Sequence, residues 1–107
     1  MNIIVSKEAR KDLIHIRQYI AENLNNPTAA VRIMKQLKES ISFLTEFPAK
    51  GRSLDALISV HTGYRYLTCE NYCVFYLSDD RDVVIVRVLH QRQDCLRALF
   101  MENYYEQ

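Results

Sequence analysis

Glycine is nearly missing from this chain: its 107 residues contain two, Gly51 and Gly63. Two separated glycines cannot build a phosphate-cradling loop, so nucleotide binding of that kind is excluded. Cysteine is almost as scarce, with Cys69, Cys73 and Cys95 an odd number that contains no C-x-x-C pair. A disulfide framework is therefore not expected, a reducing compartment is, and the thiols read as buried and unreactive. H-x-x-x-H spacing is also missing, and with it the second route to a zinc site, so no metal and no cofactor is expected. A nucleophilic pairing of Cys73 or Cys95 with His90 lacks an evident third group to orient it. The apolar run in "MNIIVSKEARK" is short and gives way at once to charge. It is neither a secretory signal nor a membrane span, and the expectation is a cytoplasmic protein with no membrane partner. Charge of one sign is not in excess: 14 basic residues face 13 acidic ones, for a formal net charge of +1. That balance alone does not argue for a nucleic-acid partner. No repeat or low-complexity segment breaks the chain.

What is present suits one small domain. The chain is too short for two cores, and 49% hydrophobic with 25% charged residues is ordinary globular composition. Residues 1–5 hold the strand-like "NIIV". Ser6 is placed to cap a helix in which Ala9, Leu13, Ile16 and Ile20 recur at helical spacing, with Glu8 in the first turn. Asn26-Pro27 restarts a second helix, whose apolar face is Ala30, Met34, Leu37, Ile41 and Leu44, and Pro48 ends it near Phe47. Residues 6–47 thus form a helical hairpin, and 48–63 a long loop with room for one helical turn. Residues 64–90 form a three-stranded meander, "YRYLTC", "YCVFYL" and "VVIVRVLH", and 91–107 a tail. The last strand is apolar on both faces, the mark of an interior strand. The fold class is α+β, with the hairpin covering one face of the sheet and the other face left to solvent, a groove or a partner.

Counting across the turns gives a register. With "EN" a two-residue turn in which Asn71 takes the positive φ, Cys69 opposes Tyr72 and Arg65 opposes Tyr76. With "SDDRD" a five-residue loop, Leu77 opposes Val83, Tyr76 opposes Val84 and Val74 opposes Val86. Arg65, Tyr76, Val84 and His90 then share one face, and Tyr66, Phe75, Ile85 and Arg87 the other. Cys69 and Cys73 fall on opposite faces. The strand tyrosines, apolar in body and polar at the tip, suit a half-wet surface. Arg65, Arg87, His90 and Arg92 are the ionisable set left for an anion or phosphate site, with His90 available for proton transfer near neutral pH. The alternative reading is structural, with Arg87 paired to an acid and Arg92 to Asp94 at a strand end.

Three segments, "LTEFPAKGR", "YRYLTCENYCVFY" and "VVIVRVLHQRQD", in this order and spacing, resemble the RelE/ParE superfamily of bacterial toxins over Met1 to Phe100. The resemblance implies a RelE/ParE-like fold, in which the N-terminal strand and two-helix hairpin pack on a mainly antiparallel sheet ending in the meander. It also implies the toxin half of a type II toxin–antitoxin system. Such a toxin is neutralised by a cognate antitoxin, and operator DNA is bound only through that antitoxin. RelE-like members cut messenger RNA on the ribosome with basic and acid–base side chains. ParE-like members keep the fold, lack that full set and poison DNA gyrase. Carried over by position, Arg65 matches an arginine of the ribonucleases, Lys50 and Arg52 lie in a region that adds basic groups, and His90 lies near a catalytic position. On the ribonuclease reading Arg65, His90 and Arg92 are catalytic. Lys50, Arg52, Arg65, Tyr76 and Arg92 are the candidates for holding nucleic acid or another target. Gln91, where an aromatic residue often stands in the ribonucleases, and the ending "LHQRQD" look more like the ParE side. Gyrase is therefore the expected target, with the ribosome and messenger RNA the alternative.

Overall fold

A computed structural model of the chain describes residues 1–58, 61–91, 95 and 99. Strand β1 (Asn2–Val5) leads into helix α1 (Lys7–Gln18), which continues through a π-helical turn, Tyr19–Asn23. Helix α2 spans Pro27–Phe43. A two-residue strand β2 (Arg52–Ser53) and a short helix α3 (Asp55–Ile58) precede β3 (Arg65–Cys69), β4 (Tyr72–Ser78) and β5 (Asp82–His90). The sheet order is β1-β5-β4-β3-β2, antiparallel except that β1 runs parallel to β5. The fold is α+β, as the sequence indicates. No described helix is long and apolar enough to cross a membrane.

Local chemistry sets the helix starts. The Ser6 hydroxyl oxygen accepts from the Ala9 amide at 3.0 Å and donates to the Val86 carbonyl at 2.8 Å. One side chain thereby caps α1 and ties its start to β5. Asn26 caps α2 by accepting from the Ala29 amide, with Pro27 at the first helical position where its missing N–H costs nothing. The expected helical faces are the observed ones: Ala9, Ile16, Ile20, Ala30, Leu37, Ile41 and Leu44 are buried, with Leu13 and Met34 packed against them. Helix α2 ends at Phe43 and passes into turns, earlier than Pro48 alone would require.

The β3–β4 register is the expected one, with Arg65 opposite Tyr76 and Cys69 opposite Tyr72. Its turn differs in detail, since the positive φ of 55° falls on Glu70. The β4–β5 register does not follow the count. Leu77 pairs with Val84 and Tyr76 with Ile85, and Phe75 then pairs with Arg87, leaving Val86 as an extra residue in a bulge. Asp79 explains the first shift. Its carboxylate accepts from the amides of Arg81 and Asp82, both at 2.8 Å, and its amide donates to the Asp82 carbonyl, tightening the turn.

These shifts rearrange the faces. Tyr72, Val74, Tyr76, Val83, Ile85 and Val88 lie in the helix-covered core, so Ile85, not Val84, lies beside Tyr76. The opposite face is not left wholly open. Leu54, Phe75 and Leu89 are buried there, with Tyr64, Tyr66, Cys73, Cys95 and Leu99 packed against them. Cys69 belongs to the first cluster and Cys73 to the second, on opposite faces as the alternation requires.

Candidate functional site

The expected site residues divide between two ends of the sheet. At one end the chain after α2 turns through Pro48–Gly51 against β3 and β4. The Tyr76 hydroxyl donates to the Pro48 carbonyl at 2.7 Å and accepts from the Gly51 amide at 2.8 Å. An Arg65 guanidinium N–H donates to the Gly51 carbonyl at 2.8 Å. Gly51 is obligatory here, because a Cβ would come within 2.5 Å of the Tyr76 Oη and 2.8 Å of the Tyr66 carbonyl oxygen. Tyr76 is wholly buried, so it holds this turn from inside and presents nothing to a target, contrary to its place among the expected binding residues. Burial pushes its hydroxyl up, partly offset by the Gly51 amide and the Arg65 charge.

Lys50, Arg52 and Arg65 therefore do come together around one turn. Lys50 and Arg52 line a cavity of about 290 Å³ with Gly51, Tyr66, Leu67 and Thr68. The Lys50 ammonium also stands 4.1 Å from the centroid of the Phe43 ring, which stacks on Phe47. Both phenylalanines are substantially exposed, so the basic turn borders an aromatic patch.

His90 is at the other end. It pairs with Tyr72 across β4–β5, their rings edge to face with centroids 5.4 Å apart. Tyr72 and Tyr76 are four positions apart on β4, which at strand rise is roughly 13 Å. Arg65, opposite Tyr76, and His90, opposite Tyr72, are thus not brought to one point even though they share the helix-covered face. Arg92 and Asp94 lie outside the described residues.

What His90 does meet was not expected from the sequence. Asp12, His15 and Tyr19 of the first helical segment face Tyr72, Arg87 and His90 across a cleft of about 450 Å³. Its floor is an ion pair: Arg87 Nε to Asp12 Oδ2 at 2.7 Å and Arg87 Nη2 to Asp12 Oδ1 at 3.0 Å, both side chains mostly buried. Arg87, opposite Phe75, and His90, opposite Tyr72, still alternate between faces, yet both line this cleft because Asp12 sits at the edge of β5, on the Val88 amide, and draws the Arg87 guanidinium to that edge. The structural account of Arg87, pairing with an acid, is the observed one. A signal was available in the spacing of Asp12, His15 and Tyr19, three then four apart, which forms a polar stripe on α1 beside the apolar one. Burial and the neighbouring Tyr19 push the Tyr72 hydroxyl up. Among the described residues no group of three metal-binding side chains converges.

Residues 3–95 match the family model described as "ParE toxin of type II toxin-antitoxin system, parDE". The chain is also similar to a solved structure titled "Chromosomal ParDE TA system from P. aeruginosa". That likeness has 21% identity over 84% of this chain and 95% of that one, with a TM-score of 0.69. At this identity it is a likeness of fold. No curated protein matches.

Proposed function

Because the chain belongs to the ParE toxin family of type II toxin–antitoxin systems, we propose that it arrests growth by inhibiting DNA gyrase and is neutralised by a cognate antitoxin. The observation that carries the choice of target is the separation of Arg65 from His90. Acid–base cleavage of RNA needs a proton-transfer group and a phosphate-stabilising cation within hydrogen-bond reach of one reacting centre. Here Arg65 is engaged with the Gly51 carbonyl at one end of the face, while His90 packs on Tyr72 at the other. Lys50, Arg52 and the Phe43–Phe47 pair instead offer a mixed basic and aromatic surface, the composition of a protein-binding hot spot. The same reading puts the toxin in the cytoplasm and leaves operator DNA to the antitoxin.

The test is direct. Purified chain added to purified gyrase should inhibit supercoiling or accumulate cleavage complexes, and pre-mixing with the antitoxin should restore activity. Unaffected gyrase at toxin excess, together with arrested translation and cut messenger RNA in a reconstituted system, would replace this reading with the ribonuclease one.

A further inference from the structure

Cysteine pairing looks unpromising in the sequence, because Cys73 and Cys95 are separated by most of a hairpin and by no recognisable motif. The fold brings them into one layer. Cys73 lies on β4 opposite Leu89, on the face away from the helical hairpin. Cys95 packs in the same cluster, with Leu54, Phe75 and Leu89 as its buried centre, and its Sγ lies 3.7 Å from the His90 carbonyl oxygen. Cys73, opposite Leu89, and Cys95, held at the carbonyl of the adjacent His90, therefore pack on the same side of the sheet against the same buried centre. Cys69 belongs to the cluster on the other face of the sheet and cannot join them. No disulfide joins any two of the three cysteines in this structure.

We propose that Cys73 and Cys95 form a reversible dithiol–disulfide pair, closed by a low-molecular-weight disulfide such as glutathione disulfide. In the first step the Cys95 thiolate attacks one sulfur of the oxidant. The oxidant's S–S bond breaks, one thiolate leaves, and it takes up the proton that Cys95 gave to solvent. In the second step the Cys73 thiolate attacks the Cys95 sulfur of the mixed disulfide and expels the other thiolate. Two electrons and two protons have then passed from the protein to the oxidant, which leaves as two thiols. The closed ring contains the whole β4–β5 turn and ties Cys95 to β4. Burial, with Cys95 adding to it, holds the Cys73 thiol in its protonated form. Closure is therefore slow near neutral pH and speeds up as pH rises, since the thiolate is the nucleophile.

The experiment treats the folded chain with glutathione disulfide at about pH 8, blocks remaining thiols, and measures intact mass and non-reducing peptide maps. The expected result is a monomer lighter by two hydrogens, a fall from three blockable thiols to one, and a cross-link between Cys73 and Cys95 that dithiothreitol reverses. Cys69→Ser should close the same ring, and Cys95→Ser should not. Three thiols retained, stable glutathionylation without closure, a cross-link through Cys69 or a disulfide-linked dimer would each overturn the proposal. The wild-type mass and map decide it even if a variant fails to fold.

Discussion

Asp12 Oδ2 accepts from Arg87 Nε at 2.7 Å and from the Val88 amide at 3.0 Å, so one helix carboxylate serves both a side chain and the backbone of β5. Strand β1 pairs with β5 only as far as Ile85. Beyond that point the edge of β5 needs another acceptor, and α1 supplies it.

Asp12→Ala should therefore be among the more damaging single changes. It leaves the mostly buried Arg87 without this counter-ion and the Val88 N–H without its acceptor, at a cost of about 3 kcal/mol or more. Urea unfolding should show a lower midpoint at unchanged slope, with Asp12→Asn falling between. A midpoint equal to wild type in both variants would mean the pair contributes nothing.

The Gly51 turn makes a second pair of expectations. Gly51→Ala drives a methyl into Tyr76 and the Tyr66 carbonyl, and should cost about 1–3 kcal/mol. Tyr76→Phe leaves the Pro48 carbonyl and Gly51 amide without their partner, at a cost in the same range. The Gly51 amide should exchange with deuterium faster in Tyr76→Phe; unchanged protection would refute this use of the hydroxyl.

Two carboxylates give a pH dependence whose sign follows from their partners. The Thr62 hydroxyl and amide hold Asp55 below its ordinary value near 3.8. The Asp82 and Arg81 amides do the same for Asp79. A folded-state value below the unfolded one means that the stabilisation is present above the unfolded value. It is lost as pH falls through the folded value. Carbon-detected NMR should place both midpoints below 3.8, and Thr62→Val should move the Asp55 midpoint upward. A wild-type midpoint at or above 3.8 for either group would contradict the assignment.

His90→Ala separates the two target readings. On the gyrase reading, loss of the Tyr72 contact costs about 1 kcal/mol of stability and growth arrest persists. On the ribonuclease reading cleavage falls about a hundredfold or more. The comparison is a growth assay at matched soluble toxin level, with translation and DNA replication followed together. Loss of toxicity in a well-folded variant would count against the proposed function.

The helices and the β3–β4 hairpin were legible because their signals are local. Ser6, Asn26-Pro27 and two apolar stripes mark the helices, and a two-residue turn fixes a register by counting. The β4–β5 hairpin was not legible, because the Asp79 side chain shortens the turn and the Val86 bulge adds a residue, and neither has a hydrophobic signature. Strand β2, two residues long, is too short to alternate visibly. In the candidate site, the gathering of Lys50 and Arg52 near Arg65 follows from chain order and the Pro48–Gly51 turn. The Asp12–Arg87 pair joins positions 75 residues apart, and the packing of Cys73 and Cys95 against one buried cluster likewise depends on the tertiary fold, which spacing cannot report.

The parallel ladder between β1 and β5 also has a consequence for biosynthesis. Asn2 pairs with Asp82 and Val5 with Ile85, so β1 waits for β5 before it gains its neighbour in the sheet. Contacts of such long sequence separation form late and slowly. A nascent chain still short of β5 has neither the ladder nor the cleft beneath His90. The ribosome must therefore synthesise β5 before the first strand is paired and before the Asp12–His90 cleft can close.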